Sequence, residues 1–61
     1  MKAGDLIRFT KTGVLGTIIG PGHLGVRFLA SWEDEDEGKS TMIFDYPKDY
    51  LKEAAEVVSY S

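Results

Sequence analysis

Gly4-Asp5-Leu6-Ile7-Arg8-Phe9-Thr10-Lys11-Thr12-Gly13-Val14-Leu15-Gly16-Thr17-Ile18-Ile19 is the stretch that decides the fold class. Residues 5–10 alternate, so Ile7 and Phe9 share one face while Leu6, Arg8 and Thr10 share the other. That is the period of a half-buried strand. A short loop leads to Gly13-x-x-Gly16 and then to a second β-rich run over 14–19. Glycines inside a strand mark a bulge or a sharp bend. The two runs together read as the first hairpin of a small, strongly bent barrel.

Outward from this hairpin the pattern continues. Gly20-Pro21-Gly22-His23 is a turn, because proline fixes φ and glycine supplies positive φ. Leu24, Val26, Phe28, Ala30 and Trp32 then fall on one face of the longest expected strand. Residues 33–38 form a loop, and 39–44 a fourth strand with Met42 and Phe44 on one face. Asp45-Tyr46-Pro47 ends that strand. Pro47 suits the first turn of a short helix over about 47–55, since its missing N–H costs nothing there. Tyr50, Leu51, Ala54 and Ala55 give the helix an apolar stripe, and 56–60 forms a last strand. The expected fold is mostly β: five strands in a small barrel, with one short helical turn before the last. Residues 1–61 make a single domain.

A chain of 61 residues buries only about 60% of the surface its unfolded form exposes, so its core must be economical. It has no cysteine, which excludes disulfides and thiolate zinc sites, and a single histidine makes a poor metal site. No cofactor is expected. No apolar run approaches the roughly 18 residues that span a bilayer, and no signal-peptide core follows Met1. A cytoplasmic protein without membrane contact is expected.

The net charge of −3 is unevenly distributed. Lys2, Arg8, Lys11 and Arg27 face Asp5 alone in residues 1–30, a net +3. Lys39, Lys48 and Lys52 face nine carboxylates in residues 31–61, a net −6. Halves of opposite sign, together with a small core and open strand edges, predict self-association.

The order of four strands, a helical turn and a final strand is similar to the SH3-like barrel plan. Within it, Gly4-Asp5 and Gly13-x-x-Gly16 resemble the KOW motif and its short bacterial and phage relatives. The resemblance covers residues 4–30 and implies an association with RNA or a nucleic-acid machine. Arg8, Lys11 and Arg27, with His23 in the adjoining turn, would then form the basic face, Arg8 and Arg27 lying on strands expected to pair. Four such groups are few for phosphate binding, which depends on clustered cations, and the acidic half opposes it.

A second resemblance carries a different surface. Tyr46-Pro47-Lys48-Asp49-Tyr50-Leu51 is similar to the segment of eukaryotic SH3 domains that holds the proline-pocket residues. By that resemblance Trp32, Pro47 and Tyr50, with Tyr46 beside them, would build a groove for an extended peptide. Glu33, Asp34, Glu35, Asp36 and Glu37 would receive its basic residue. Read alone, those contiguous carboxylates form a solvated, self-repelling loop, because they lack the wrapped spacing calcium requires. The aromatics read alone are core plugs.

Catalysis has little support. No cysteine is present, and no histidine is placed to activate a serine. Type II dihydrofolate reductases share the fold plan and size. Their Val-Gln-Ile-Tyr strand would fall on Thr41-Met42-Ile43-Phe44, where both polar groups are lost. The expectation is a non-enzymatic module that binds an unidentified protein partner, with KOW-type nucleic-acid binding as the alternative.

Overall fold

The computed structural model describes all residues, Met1–Ser61. It contains β1 (Leu6–Phe9), β2 (Leu15–Pro21), β3 (Val26–Asp34), β4 (Gly38–Tyr46), α1 (Lys48–Ala54) and β5 (Ala55–Ser59). The five strands form one antiparallel sheet in the order β4-β3-β2-β1-β5. Four strands meander, and the fifth returns beside the first. β4 and β5 do not pair with each other, so hydrogen bonding leaves the sheet open.

Alternation produces the core as the sequence predicts. Ile7, Ile18, Val26, Phe28 and Ala30 point to one face and are buried, joined there by Leu51 of α1 and by Ala55. Phe28 lies at the centre, with ring centroids 5.5 Å from Phe9, 5.8 Å from Phe44 and 5.5 Å from Tyr46. The helix contributes little beyond Leu51. Tyr50, expected on its apolar stripe, is exposed, and Ala54 is half-buried. A helix of seven residues starting from Pro47 has no side-chain cap and is held by the packing of one leucine.

The two glycines of the opening stretch act differently from one another. Gly13 adopts φ 76°, a left-handed turn conformation that side chains rarely take. Gly16 makes no bulge: it sits in unbroken register opposite Ile7 and Ala30. Its lack of a side chain is needed because a Cβ there would lie 3.1 Å from the Phe28 ring and 3.3 Å from Ile7. The irregularities fall elsewhere, between Ile18 and Gly20 in β2 and between Leu6 and Ile7 where β1 meets β5.

Several expected boundaries move. Gly20 and Pro21 close β2, whereas the sequence reads them as turn. Leu24 stays in the loop and is exposed. β4 runs on through Asp45 and Tyr46, because Arg27 and Val26 of β3 remain available opposite them. Glu33 and Asp34 likewise belong to β3, which shortens the acidic loop to Glu35–Glu37. Arg8 and Arg27 do not lie on paired strands: β2 separates β1 from β3.

Asp5 is buried just before β1. Its carboxylate accepts the backbone N–H of Lys2 and that of Ser61, each at 2.9 Å. Those two donors stabilise the charged form and hold its pKa below the ordinary 3.8, the Ser61 N–H contributing most. Asp5, just ahead of the first strand, therefore also ties both ends of the chain together.

Candidate binding groove

Register determines what shares the concave face. Phe28 lies opposite Phe44, Ala30 opposite Met42, Trp32 opposite Ser40 and Val26 opposite Tyr46. Seven residues are buried along this face, whereas Phe9, Val14, Trp32, Phe44 and Tyr46 are only partly covered. They border an open groove of about 230 Å³ floored by Phe28 and Ala30. Tyr50 forms part of its rim, meeting Tyr46 edge-on at 5.3 Å and 77° while remaining 53% exposed. Phe44 and Tyr46 continue the aromatic row at 5.8 Å.

Three of the predicted peptide-site residues, Trp32, Tyr46 and Tyr50, thus come together in one groove. Pro47 does not line it. It is exposed and sets the start of α1. Phe9, Val14 and Phe44 line the groove without having been singled out. The available signal was the alternation that put Phe9 with Ile7 and Phe44 with Met42. What was missing is that the core is too small to cover them.

Trp32 is interior to β3, and the acidic segment begins one residue later. Glu33 lines a shallow depression with Trp32, Thr12 and Val14, adjoining the groove. Asp34 accepts the Asp36 N–H at 3.0 Å, which fixes the turn of the hairpin. Glu33, Glu35, Asp36 and Glu37 are exposed. The carboxylates do not converge into a set of three or more metal donors. The groove therefore has an aromatic floor and an anionic end, a combination suited to an extended ligand with apolar groups and a cation.

The basic residues are arranged otherwise. Arg8 pairs with Glu56 at 2.6 Å and Arg27 with Asp45 at 3.7 Å. Both arginines alternate with buried residues and so occupy the convex face, away from the aromatics. Asp45 also accepts the backbone N–H groups of His23 and, at 3.1 Å, Leu24. Its carboxylate is thus committed to holding the β2–β3 loop, and Gly22 leaves it room. Lys11 lies apart from both, near Phe9, Tyr50 and Glu53. No helix is long and apolar enough to cross a membrane.

Comparison with protein-family models, with curated proteins and with solved structures returns no match in any of the three.

Proposed function

We propose that this chain is a non-enzymatic interaction module of SH3-like plan that binds an extended, cation-bearing segment of another protein along the aromatic groove. The observation that carries this reading is the row Phe9, Phe44, Tyr46, Tyr50 and Trp32, left partly uncovered beside an acidic hairpin. Aromatic side chains offer large contact area at low entropic cost, and they dominate the centres of interfaces. The anionic end supplies orientation and speeds the encounter with a basic ligand. The SH3-like reading is supported by the meander of β1 to β4, the return of β5 to β1 and the helical turn between β4 and β5. The reading assigns the chain no reaction.

The test is fluorescence titration with a panel of labelled peptides that combine apolar residues with one or two arginines. Wild-type protein is expected to bind members of the panel, and Trp32→Ala to lose that binding while keeping its circular dichroism spectrum. Equal binding by the Trp32→Ala variant, or no binding by wild type, would reject the groove. Tight binding of single-stranded RNA in the same assay, persisting at moderate salt, would put the nucleic-acid reading in its place.

A further inference from the structure

The two edges of the sheet are built differently. β5 is five residues long and pairs with β1 through a register shift between Leu6 and Ile7. Short length and irregular pairing blunt an edge against further strands. β4 has neither. It is nine residues long, pairs with β3 at nine consecutive positions and contains no proline. It ends the sheet order, so β3 is the one strand it pairs with. Alternate residues along its outer side therefore present backbone N–H and C=O groups that no strand of this chain satisfies. Its one lysine, Lys39, stands at the hairpin end rather than in the middle.

This edge and the groove share residues. Phe44 and Tyr46 belong to β4 and line the groove. Met42 lies on the same face and is 55% exposed. Ser40, next on that face, lies opposite Trp32 of β3. An extended segment paired with β4 puts every second side chain on the concave face, beside Ser40, Met42 and Phe44. Strands in a sheet lie about 4.8 Å apart, and Ser40 is small, so a long side chain beside it reaches over it toward Trp32.

Charge gives the segment a direction. Glu33, Asp34, Glu35, Asp36 and Glu37 gather at the Gly38 end of β4, with Lys39 alone beside them. The two ion pairs of the structure, Arg8–Glu56 and Arg27–Asp45, use none of the five. At the other end of the strand the Asp45 carboxylate is taken up by Arg27 and by the N–H groups of His23 and Leu24. The edge therefore has a single anionic end.

We propose that the segment taken by the groove docks as a sixth strand, antiparallel to β4, with its basic residues toward its C-terminal end. The proposal rests on the groove reading and adds to it a backbone pairing, a direction and a pattern. Antiparallel pairing is slightly the more stable, and it sets the C-terminal end of the segment beside the acidic hairpin. The pattern is two apolar residues separated by one, facing Phe44 and Met42, followed by arginine or lysine. The occupant is a basic segment of a different protein. A second copy of this chain carries a net charge of −3 and offers one cation, Lys39, on its own β4.

The test uses a peptide of this pattern whose binding depends on Trp32, methylated at one backbone nitrogen at a time. Each methylation removes one N–H and leaves the side chains in place. Binding is expected to weaken about tenfold or more at alternate positions, whose N–H groups face β4, and little at those between. The same residues in reversed order are expected to bind about tenfold more weakly. Trp32-dependent binding that is indifferent to methylation, or equally sensitive at every position, would overturn the sixth strand and leave the groove standing. Equal binding of the reversed peptide would overturn the direction. No binding by any peptide would overturn the groove and this proposal together. Dimerisation of the free protein that the peptide cannot displace would give the edge to a second copy instead.

Discussion

The concave face of this sheet is one surface with two fates. Around Ile7, Ile18, Val26 and Phe28 the side chains are buried, in one cluster with Leu51 and Ala55. Around Phe9, Trp32, Phe44 and Tyr46 the same face is only half covered. Both regions are apolar in sequence, and β1 and β3 contribute to each, while β2 enters only the first and β4 only the second. The difference is coverage: α1 has seven residues and buries one of them. A short chain has too few residues to cover the whole of such a face, and the aromatic part is what remains.

The largest expected effects come from breaking the closed half. Phe28→Ala removes the ring that three others contact and should cost about 3–5 kcal/mol. In a domain of this size that is most of the stability, so the melting transition should be lost or fall sharply. Leu51→Ala should follow at about 2–5 kcal/mol, because the same leucine anchors α1. If Leu51→Ala melts like wild type, the helix is not what closes the core.

Trp32→Ala sharpens the contrast from the open side. Its cost in a denaturant titration should be near about 1 kcal/mol, since the side chain is only partly buried. Its effect on peptide affinity should be larger, about tenfold or more by fluorescence titration. A stability loss matching that of Phe28→Ala would place Trp32 in the core instead.

Asp5 gives a pH signature distinct from both halves. Its folded pKa lies below the ordinary 3.8, so its contribution is fully present above that value. The contribution is lost as pH falls through the lowered folded pKa. Asp5→Asn should therefore lower stability at neutral pH and flatten the acid limb of a melting-temperature profile. A parallel shift of the whole profile would remove Asp5 from the acid transition. The smallest effect belongs to the hairpin tip. Neutralising Glu35, Asp36 and Glu37 should change stability by no more than about 0.5 kcal/mol. It should slow association with a basic peptide and reduce its salt dependence in stopped flow.

Much of this architecture was legible in the residues, because periodicity survives in a sheet that has one wet face. The strands were found in order, and so was the helix, since Pro47 and the Leu51 stripe mark it locally. Their ends were less legible. β4 extends through Tyr46 because β3 is there to pair with it, and a neighbouring strand leaves no local trace. Gly16 looked like a bend and is instead a clearance under Phe28, a fact that depends on a residue twelve positions away. Of the groove, Trp32, Tyr46 and Tyr50 were visible as aromatics near a proline. Phe9, Val14 and Phe44 were not, since an alternating apolar residue looks the same whether covered or bare. The opposite faces of the arginines and the phenylalanines were legible in the alternation, whereas the arginines' partners, Glu56 for Arg8 and Asp45 for Arg27, depend on strand register.

The carboxylate of Asp5, which receives N–H groups from positions 2 and 61, brings the two ends of the chain within a few ångströms of one another. Adjacent ends make a domain portable. Joined by a short linker and reopened at the Glu35–Glu37 hairpin, this chain should fold as a circular permutant. Spliced into a surface loop of a larger protein, it would widen the gap in its host by little.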